Sequence, residues 1–373
     1  MPSDRPRFCV MGAGRGDTAM AAHLALMGFD VALWNRSPER LEPTRERGGI
    51  ELTAPGIDWL PTGEGQLQTV TTDAGEALGD AEIVMVVVPA TGHRFVAEQC
   101  APHLREGQVV VLHPGRTGGA LEFCRVLHEC GCTAHILLAE TQTFIYASRA
   151  VGPAEARIHG VKNRVPVAAL PGYRTREVVE ALRVAYPQFV PGDTVLKTGL
   201  DNVAVMFHPT VMLFNAARIE DTHGDFAYYL SGITPSVARA LEDIDHERVQ
   251  IGEALGLRAT PVRDWLYVSY DVTGRSLHEA IHANYGYKGI MAPTTLNHRY
   301  LREDIPCSLI PIISIAEQYG VETPTMRSVV HLGSLLLGQD FWAEGRTVER
   351  IGIKGLTVRQ VRRLVTDGDT EDE

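Results

Sequence analysis

The feature that most constrains this chain is its first apolar run, Phe8-Cys9-Val10-Met11. It ends on Gly12-Ala13-Gly14-Arg15-Gly16 and passes straight into an alanine-rich amphipathic segment from Thr18 to Met27. Strand, glycine turn and helix in that order make an anion site, because free amide groups and the positive end of the helix dipole face outward at the helix N-terminus. Gly12 makes the tight turn, and Gly14 lets a diphosphate approach the backbone. The spacing predicts a dinucleotide site of the Rossmann type. Asp17 stands where the third glycine of G-x-G-x-x-G would fall, and Gly16 lies one place early. The aspartate is either a helix N-cap or a charge that repels a diphosphate, with Arg15 as a compensating cation.

Strand and helix signals then alternate. Phe29–Trp34, Ala81–Val88, Gln108–Leu112 and Ala134–Leu138 are apolar runs, each but the last followed by a helical segment. Strands apolar on both faces belong to a covered parallel sheet, and repeated β-then-α units predict a doubly wound one. Ligands of such sheets sit at the carboxyl ends of the strands. The glycine turn, Asn35-Arg36-Ser37, Pro89 and His113-Pro-Gly-Arg-Thr-Gly-Gly119 all fall there. The end of the second strand bears on cofactor choice. An acidic residue there would bind a ribose 2′-OH and repel a 2′-phosphate. Asn35, Arg36 and Ser37 offer a cation and hydrogen-bond donors instead, which favours NADP(H) over NAD(H). The bland alternative is that Arg36 is a plain surface charge.

Residues 48–72 carry short β-like pieces, an expected hairpin excursion. Arg157–Lys162 and Val165–Leu170 are expected as added strands, followed by a helix over Thr175–Tyr186. A Pro- and Gly-bearing break at Pro187–Asp193 marks the boundary. Beyond it the periodicity is helical, over Asn202–Ile219, Pro235–Leu255 (with Thr234-Pro235 as its start signal), Pro261–Ser269, Leu277–Ala283, Leu309–Tyr319 and Thr325–Leu337. The expected fold is α/β plus all-α: a Rossmann-type sheet domain over residues 1–190, a helical domain over 191–366, and an acidic, disordered tail over 367–373.

Composition closes off other classes. The net charge is −11, five of the acids lie in the last seven residues, and no basic run is present, which argues against a nucleic-acid partner. No apolar run approaches the ~20 residues of a membrane span, and the N-terminus lacks the apolar core of a signal peptide; a cytoplasmic address is expected. The six cysteines form no CxxC pair, and Cys130-Gly-Cys132 is too close for a zinc-ligand pair, so reduced and mostly buried thiols are expected, with no metal site.

Three stretches carry groups fit for chemistry. His208-Pro209 sits inside an apolar helical pattern, and a proline in a helix interior costs ~3 kcal/mol. Strain of that kind gathers at functional sites. Arg299 and Asp304 lie just before a turn, and Glu140 follows the last main strand. Each has a bland reading: a core histidine, a surface ion pair, a local cap. His113 is a second acid/base candidate, His298 a bystander, and Tyr228, Tyr229 and Trp265 core or pocket wall.

At these residues the chain resembles the octopine/nopaline (opine) dehydrogenase family. The likeness spans both halves: the variant glycine turn, Val88-Pro89, His113–Gly119, Ala139-Glu-Thr-Gln-Thr143, His208-Pro209 with Asn215–Glu220, and Arg299-Tyr-Leu-Arg-Glu-Asp304-Ile-Pro306. The resemblance implies reductive condensation of an amino compound with a 2-oxo acid by hydride transfer to an imine. It implies that His208 is the acid/base, Asp304 its carboxylate partner, Arg299 the binder of the 2-oxo acid carboxylate, and Glu140 a neighbour of the amino substrate. Histidine exchanges protons near neutrality, and arginine's planar fork grips a carboxylate. Asp17 and Arg15 depart from the family's small residues. A homodimer through the helical half is compatible with this reading. Two alternatives stand beside it. A 2-hydroxy-acid or polyol-phosphate dehydrogenase of similar build would use a lysine, and Lys197, Lys288 and Lys354 lie in no clear helical motif. A non-catalytic NADP(H) sensor would need no acid/base.

Overall fold

The computed structural model describes residues 5–14 and 16–370. Its contacts divide into two compact units. One runs up to Thr198 and takes in the chain again from Arg363 onward; the other is Gly199–Arg362. The division thus falls some residues after the Pro187–Asp193 break, and the C-terminal segment returns to the first unit. Where a tail from residue 367 was expected, Asp367 instead closes the helix Val358–Asp367; residues 371–373 lie outside the described residues.

Among the described residues of the first unit twelve strands form, in chain order β1 (Phe8–Met11), β2 (Val31–Trp34), β3 (Gly49–Thr53), β4 (Gly63–Gln66), β5 (Thr69–Thr71), β6 (Ile83–Val86), β7 (Val109–Leu112), β8 (Leu137–Thr141), β9 (Tyr146–Gly152), β10 (Glu155–Val161), β11 (Val165–Leu170) and β12 (Phe189–Pro191). The main sheet has the order β12-β11-β8-β7-β6-β1-β2-β5. From β5 to β8 every pairing is parallel, and the central strands β1, β6 and β7 are apolar and buried along their length, as a covered parallel sheet requires. β11 joins antiparallel to β8, and β12 pairs parallel with β11 at that edge. Strand order reverses at β1, where β2 and β6 lie on its two sides with Met11 opposite both Trp34 and Val86. That reversal opens the crevice in which doubly wound sheets bind ligands.

The expected hairpin is β3 and β4, with Ile50 opposite Gly65. It belongs to a second sheet, β4-β3-β10-β9. The last parallel strand runs over Leu137–Thr141 rather than 134–138. Its polar end residues, Glu140 and Thr141, are buried because both find hydrogen-bond partners.

The second unit is helical. The long helix Pro235–Ala254 starts as expected, with Thr234 accepting from the Val237 amide. The glutamate Glu247 on it accepts from the amides of Thr325 and Met326 (2.7 and 3.0 Å) at the start of the helix Pro324–Leu337. Beside it Arg248, fully buried, pairs with Asp245 at 2.6 Å and donates to the carbonyl of Leu200 at 2.9 Å. That network ties the entry segment of the unit to its longest helix. The expected helix over Asn202–Ile219 is two, Ala204–Phe214 and Ala216–Thr222. Asn215 breaks it, its amide donating to the carbonyls of Val211 and Gly232. Among the described residues no helix is long and apolar enough to cross a membrane.

Candidate functional site

The first unit assembles the predicted dinucleotide residues at adjoining strand ends. Gly12 follows β1, with its amide on the Trp34 carbonyl at 2.7 Å. Its φ of +131° is one that only glycine adopts readily. Gly14 and Gly16 lead into the helix Asp17–Leu26, whose N-cap is Gly16. Asp17 is therefore the first helical residue and not the cap. Its carboxylate turns back over Gly12 and Gly14. A Cβ on Gly16 would stand 2.9 Å from the Phe144 ring, which keeps that position free of a side chain. Arg15 lies outside the described residues. The backbone cradle thus fits a diphosphate in all but one respect, the aspartate laid across it.

Past β2, Asn35 accepts from the Ser37 amide at 2.9 Å, turning the chain so that Arg36 is exposed. The Arg36 guanidinium stands 5.5 Å from the centre of the Phe95 ring, itself stacked on Trp34. Pro89 follows β6 and starts the short turn Ala90–Gly92. Gly12, Gly14, Gly16, Asn35, Arg36, Ser37 and Pro89 are thus gathered at the carboxyl ends of β2, β1 and β6.

Two further sequence candidates in this unit have other occupations. Glu140 is fully buried: its Oε2 accepts from the Ala120 amide at 2.9 Å and its Oε1 from the Thr198 hydroxyl at 2.8 Å. It also lies against Gly115, where any Cβ would collide with the carboxylate. The side chain braces the Gly115–Ala120 segment. His113 is buried against Phe189 with Nε2 3.3 Å from the Met85 sulfur. Burial pulls its pKa down to about 3, so it stays neutral and is a poor proton donor.

The second unit holds the acid/base candidates. His208 lies on the helix Ala204–Phe214 just before Pro209. Pro209 has no N–H for the carbonyl one turn back. Separately, the carbonyl of His208 accepts from the Tyr228 hydroxyl at 2.7 Å. His208 Nδ1 meets Asp304 Oδ2 at 2.7 Å, with the histidine side chain 15% exposed and the aspartate 1%. Asp304 is followed by a π-helical turn, Ile305–Leu309, the kind of wide turn found often at functional sites. With Nδ1 donating to the carboxylate, Nε2 is the nitrogen left for a substrate. Tyr300 lies flat on the imidazole, centroids 3.8 Å apart and planes 12° apart. The two rings and the carboxylate together fix the orientation of the histidine.

Arg299 begins the helix Arg299–Arg302. Its partner is Glu303, at 2.7 Å, and not Asp304; the arginine side chain is 55% exposed. His298 caps that helix, Nδ1 accepting from the Tyr300 amide. Tyr229 packs on Tyr287, and Trp265 on Tyr270. Of the residues singled out by sequence in this unit, His208 and Asp304 come together, and Arg299 shares the 299–304 segment with Asp304. Sequence reasoning passed over Tyr300 and Glu303, although both stand inside the Arg299–Pro306 motif. Their signal was adjacency to candidates, with no pattern to say which way each side chain points.

Two family models match parts of the chain. Residues 191–337 match the family model for the NAD/NADP octopine/nopaline dehydrogenase alpha-helical domain. Residues 7–115 match the NAD-dependent glycerol-3-phosphate dehydrogenase N-terminus. The opine dehydrogenase of Arthrobacter sp. (strain 1C) is 37% identical over 358 residues, 96% of this chain and 98% of its own length. Octopine dehydrogenase solved with NADH and L-arginine has the same fold, with a TM-score of 0.80 at 20% identity over 99% of each chain. Yersinopine dehydrogenase solved with NADP+ matches with a TM-score of 0.75 at 17% identity, over 94% of this chain and 93% of its own.

Proposed function

This chain belongs to the opine dehydrogenase family, oxidoreductases acting on CH–NH bonds, and from that premise we propose that it joins an amino compound to a 2-oxo acid and reduces the resulting imine with NADPH. Amine and oxo acid condense with loss of water; hydride then adds to the imine carbon and a proton to its nitrogen. The nicotinamide supplies the hydride. The observation that carries the reading is the His208–Asp304 hydrogen bond under the Tyr300 ring. It leaves one imidazole nitrogen oriented for proton exchange, with a buried carboxylate to stabilise the imidazolium.

In this reading His208 is the acid/base, Asp304 its partner, and Arg299 the clamp on the 2-oxo acid carboxylate, its exposed fork pinned from one side by Glu303. Glu140 serves the amino-substrate side by holding the Gly115–Ala120 segment in place. The exposed Arg36, with Asn35 and Ser37, favours a 2′-phosphate and hence NADP(H). Relatives bind either form, NADH in an octopine dehydrogenase and NADP+ in yersinopine dehydrogenase, so Arg36 carries that choice. A homodimer remains part of the proposal, to be read from the mass of the protein in solution.

Of the three lysines of the alternative, Lys354 is paired with Glu349 and Lys288 lies over the Tyr285 ring, while Lys197 stands on the short helix Val195–Leu200. The test is NADPH and NADH absorbance with pyruvate, glyoxylate and 2-oxoglutarate against a panel of amines. Arginine and agmatine are included because an octopine dehydrogenase was solved with each. Oxidation requiring both an oxo acid and an amine is the expected result. Oxidation with the oxo acid alone would make the protein a hydroxy-acid dehydrogenase, and binding without turnover on any pair would favour the sensor.

A further inference from the structure

We propose that Asp17 is an internal anion on the glycine turn, and that a dinucleotide binds there with uptake of one proton by its carboxyl group. The inference rests on the reading of that turn as the dinucleotide site.

Asp17 is 4% exposed at the first position of the helix Asp17–Leu26. Its side chain does not point out along the helix axis. It folds back onto the turn, where Oδ2 abuts the place a Cβ on Gly12 would take. Oδ1 lies 3.2 Å and Oδ2 3.5 Å from the place a Cβ on Gly14 would take. Gly14 is the position at which a bare backbone admits a diphosphate. The carboxylate therefore lies beside the spot the diphosphate must reach, held by the Thr18 amide at 3.2 Å. In a glycine fingerprint the third glycine lets the helix pack close against the strand and leaves its own side-chain position empty. Here a charge fills it.

The surroundings define what that charge can do. Among the described residues, Arg40 on the helix Pro38–Arg47 is a charged side chain of a neighbouring element that bears on it. Phe144 and Val87 close the Gly16 side of the turn with apolar surface. Burial pushes the Asp17 carboxyl up to about 6, against the opposing pull of the Gly14, Asp17 and Thr18 amides and of Arg40. Near neutrality it is an anion already close to neutralisation. A diphosphate arriving at Gly14 brings like charge to within a few ångströms, and two anions so placed do not both stay ionised. The diphosphate cannot take a proton in this pH range, so the carboxyl group does.

The sign follows from linkage. The bound form holds its proton to higher pH than the free form, so affinity is full below about pH 6. Above that it falls by up to about tenfold per pH unit, until the pKa of the bound form is passed.

The experiment is isothermal titration calorimetry of the full-length protein with NAD+ and, separately, NADP+, from pH 5.5 to 8.5, in buffers of different ionisation heat. NAD+ has no group that titrates in this window. The 2′-phosphate of NADP+ does, and is cancelled by comparison with Asp17→Asn and Asp17→Gly. The wild type should weaken with rising pH and take up a proton fraction that climbs toward one per nucleotide. Both variants should bind NAD+ with little pH dependence, at least tenfold more tightly than wild type at pH 8. Wild-type affinity that stays flat with no proton uptake would overturn the inference, as would the same slope in all three proteins. If neither variant folds, proton uptake by the wild type alone decides. No binding of either nucleotide by any of the three would instead overturn the dinucleotide site, and this inference with it.

Discussion

Replacing Asp304 with asparagine tests the proposed chemistry most directly. The change keeps shape and volume in a site that is 1% exposed, but removes the charge 2.7 Å from His208 Nδ1. Two charges about 4 Å apart interact by about 4 kcal/mol at the effective dielectric of ~20 that suits protein sites. A hydrogen bond to a charged group is worth about 1.5–3 kcal/mol net. These describe the same interaction and are not summed. A loss near 3 kcal/mol of imidazolium stabilisation corresponds to a fall in turnover of about 10²-fold. The asparagine can also donate its amide N–H to Nδ1, which would leave the proton on Nε2 and spoil the acid/base cycle further.

The assay is single-turnover oxidation of NADPH with saturating oxo acid and amine, on Asp304→Asn, His208→Ala and the double variant. His208→Ala should lose about 10²–10⁴-fold. Because the two residues act as one device, the double variant should be no slower than His208→Ala alone. Nucleotide binding should be unchanged in all three, which controls for folding. Losses that multiply in the double variant would show that the pair does not work as a unit. Asp304→Asn turning over within threefold of wild type would remove the carboxylate from the mechanism.

Three further outcomes are expected. Arg299→Ala should raise the KM for the 2-oxo acid by at least tenfold with a smaller effect on kcat and none on the KM of the amine; an unchanged KM would move the clamp elsewhere. Arg36→Ala should weaken NADPH by about tenfold and NADH little, as read by fluorescence titration, and equal losses would take Arg36 away from the 2′-phosphate. Buried His23 and His113, pulled down to about 4 and about 3, bind protons more readily in the unfolded chain, so stability should be full above about pH 6.5 and decline as pH falls through 4. His113→Gln should flatten that decline in thermal melts between pH 7 and 4.5, whereas a wild-type Tm constant across the range would contradict the burial argument.

Much of the first unit was legible because its strands are apolar runs closed by glycine or proline, and a covered parallel strand needs little more than that. The misplacement of the last parallel strand shows the limit. Glu140 and Thr141 are buried in β8 because the Ala120 amide, the Thr198 hydroxyl and the Leu112 carbonyl satisfy them, and no hydropathy pattern can contain those partners. Three of the four strands of the second sheet were visible: β3 and β4 are bounded by glycines and β10 overlaps the expected Arg157–Lys162, whereas β9, with Ala147, Ser148, Arg149 and Ala150, has no clean alternation. In the helical unit, periodicity placed the long helices to within a residue or so at most ends. It carried the first of them straight through Asn215, whose side chain competes for the helix's own carbonyls.

The two sites differ in legibility for a reason that lies in how they are made. The nucleotide turn is built of backbone, and consecutive residues specify backbone: Gly12 is needed for its φ and Gly14 for its missing side chain, so the pattern itself is the site. The His208–Asp304 pair is built of side chains 96 positions apart. Nothing local links them; only likeness to a family, read along the whole chain, brought them onto one page before the structure did. Asp17 stands between these cases. Its position in the motif could be read from sequence, but N-cap and repelling charge were equal readings until its rotamer was known. The side chain lies across Gly12 and Gly14 from the first helical position, with Gly16 and not Asp17 as the N-cap residue. That makes the departure from the glycine pattern a statement about protons as well as packing. A turn that elsewhere needs only an absent side chain here needs a carboxyl group to be neutral, which is why proton uptake on nucleotide binding separates this chain from one carrying glycine at position 17.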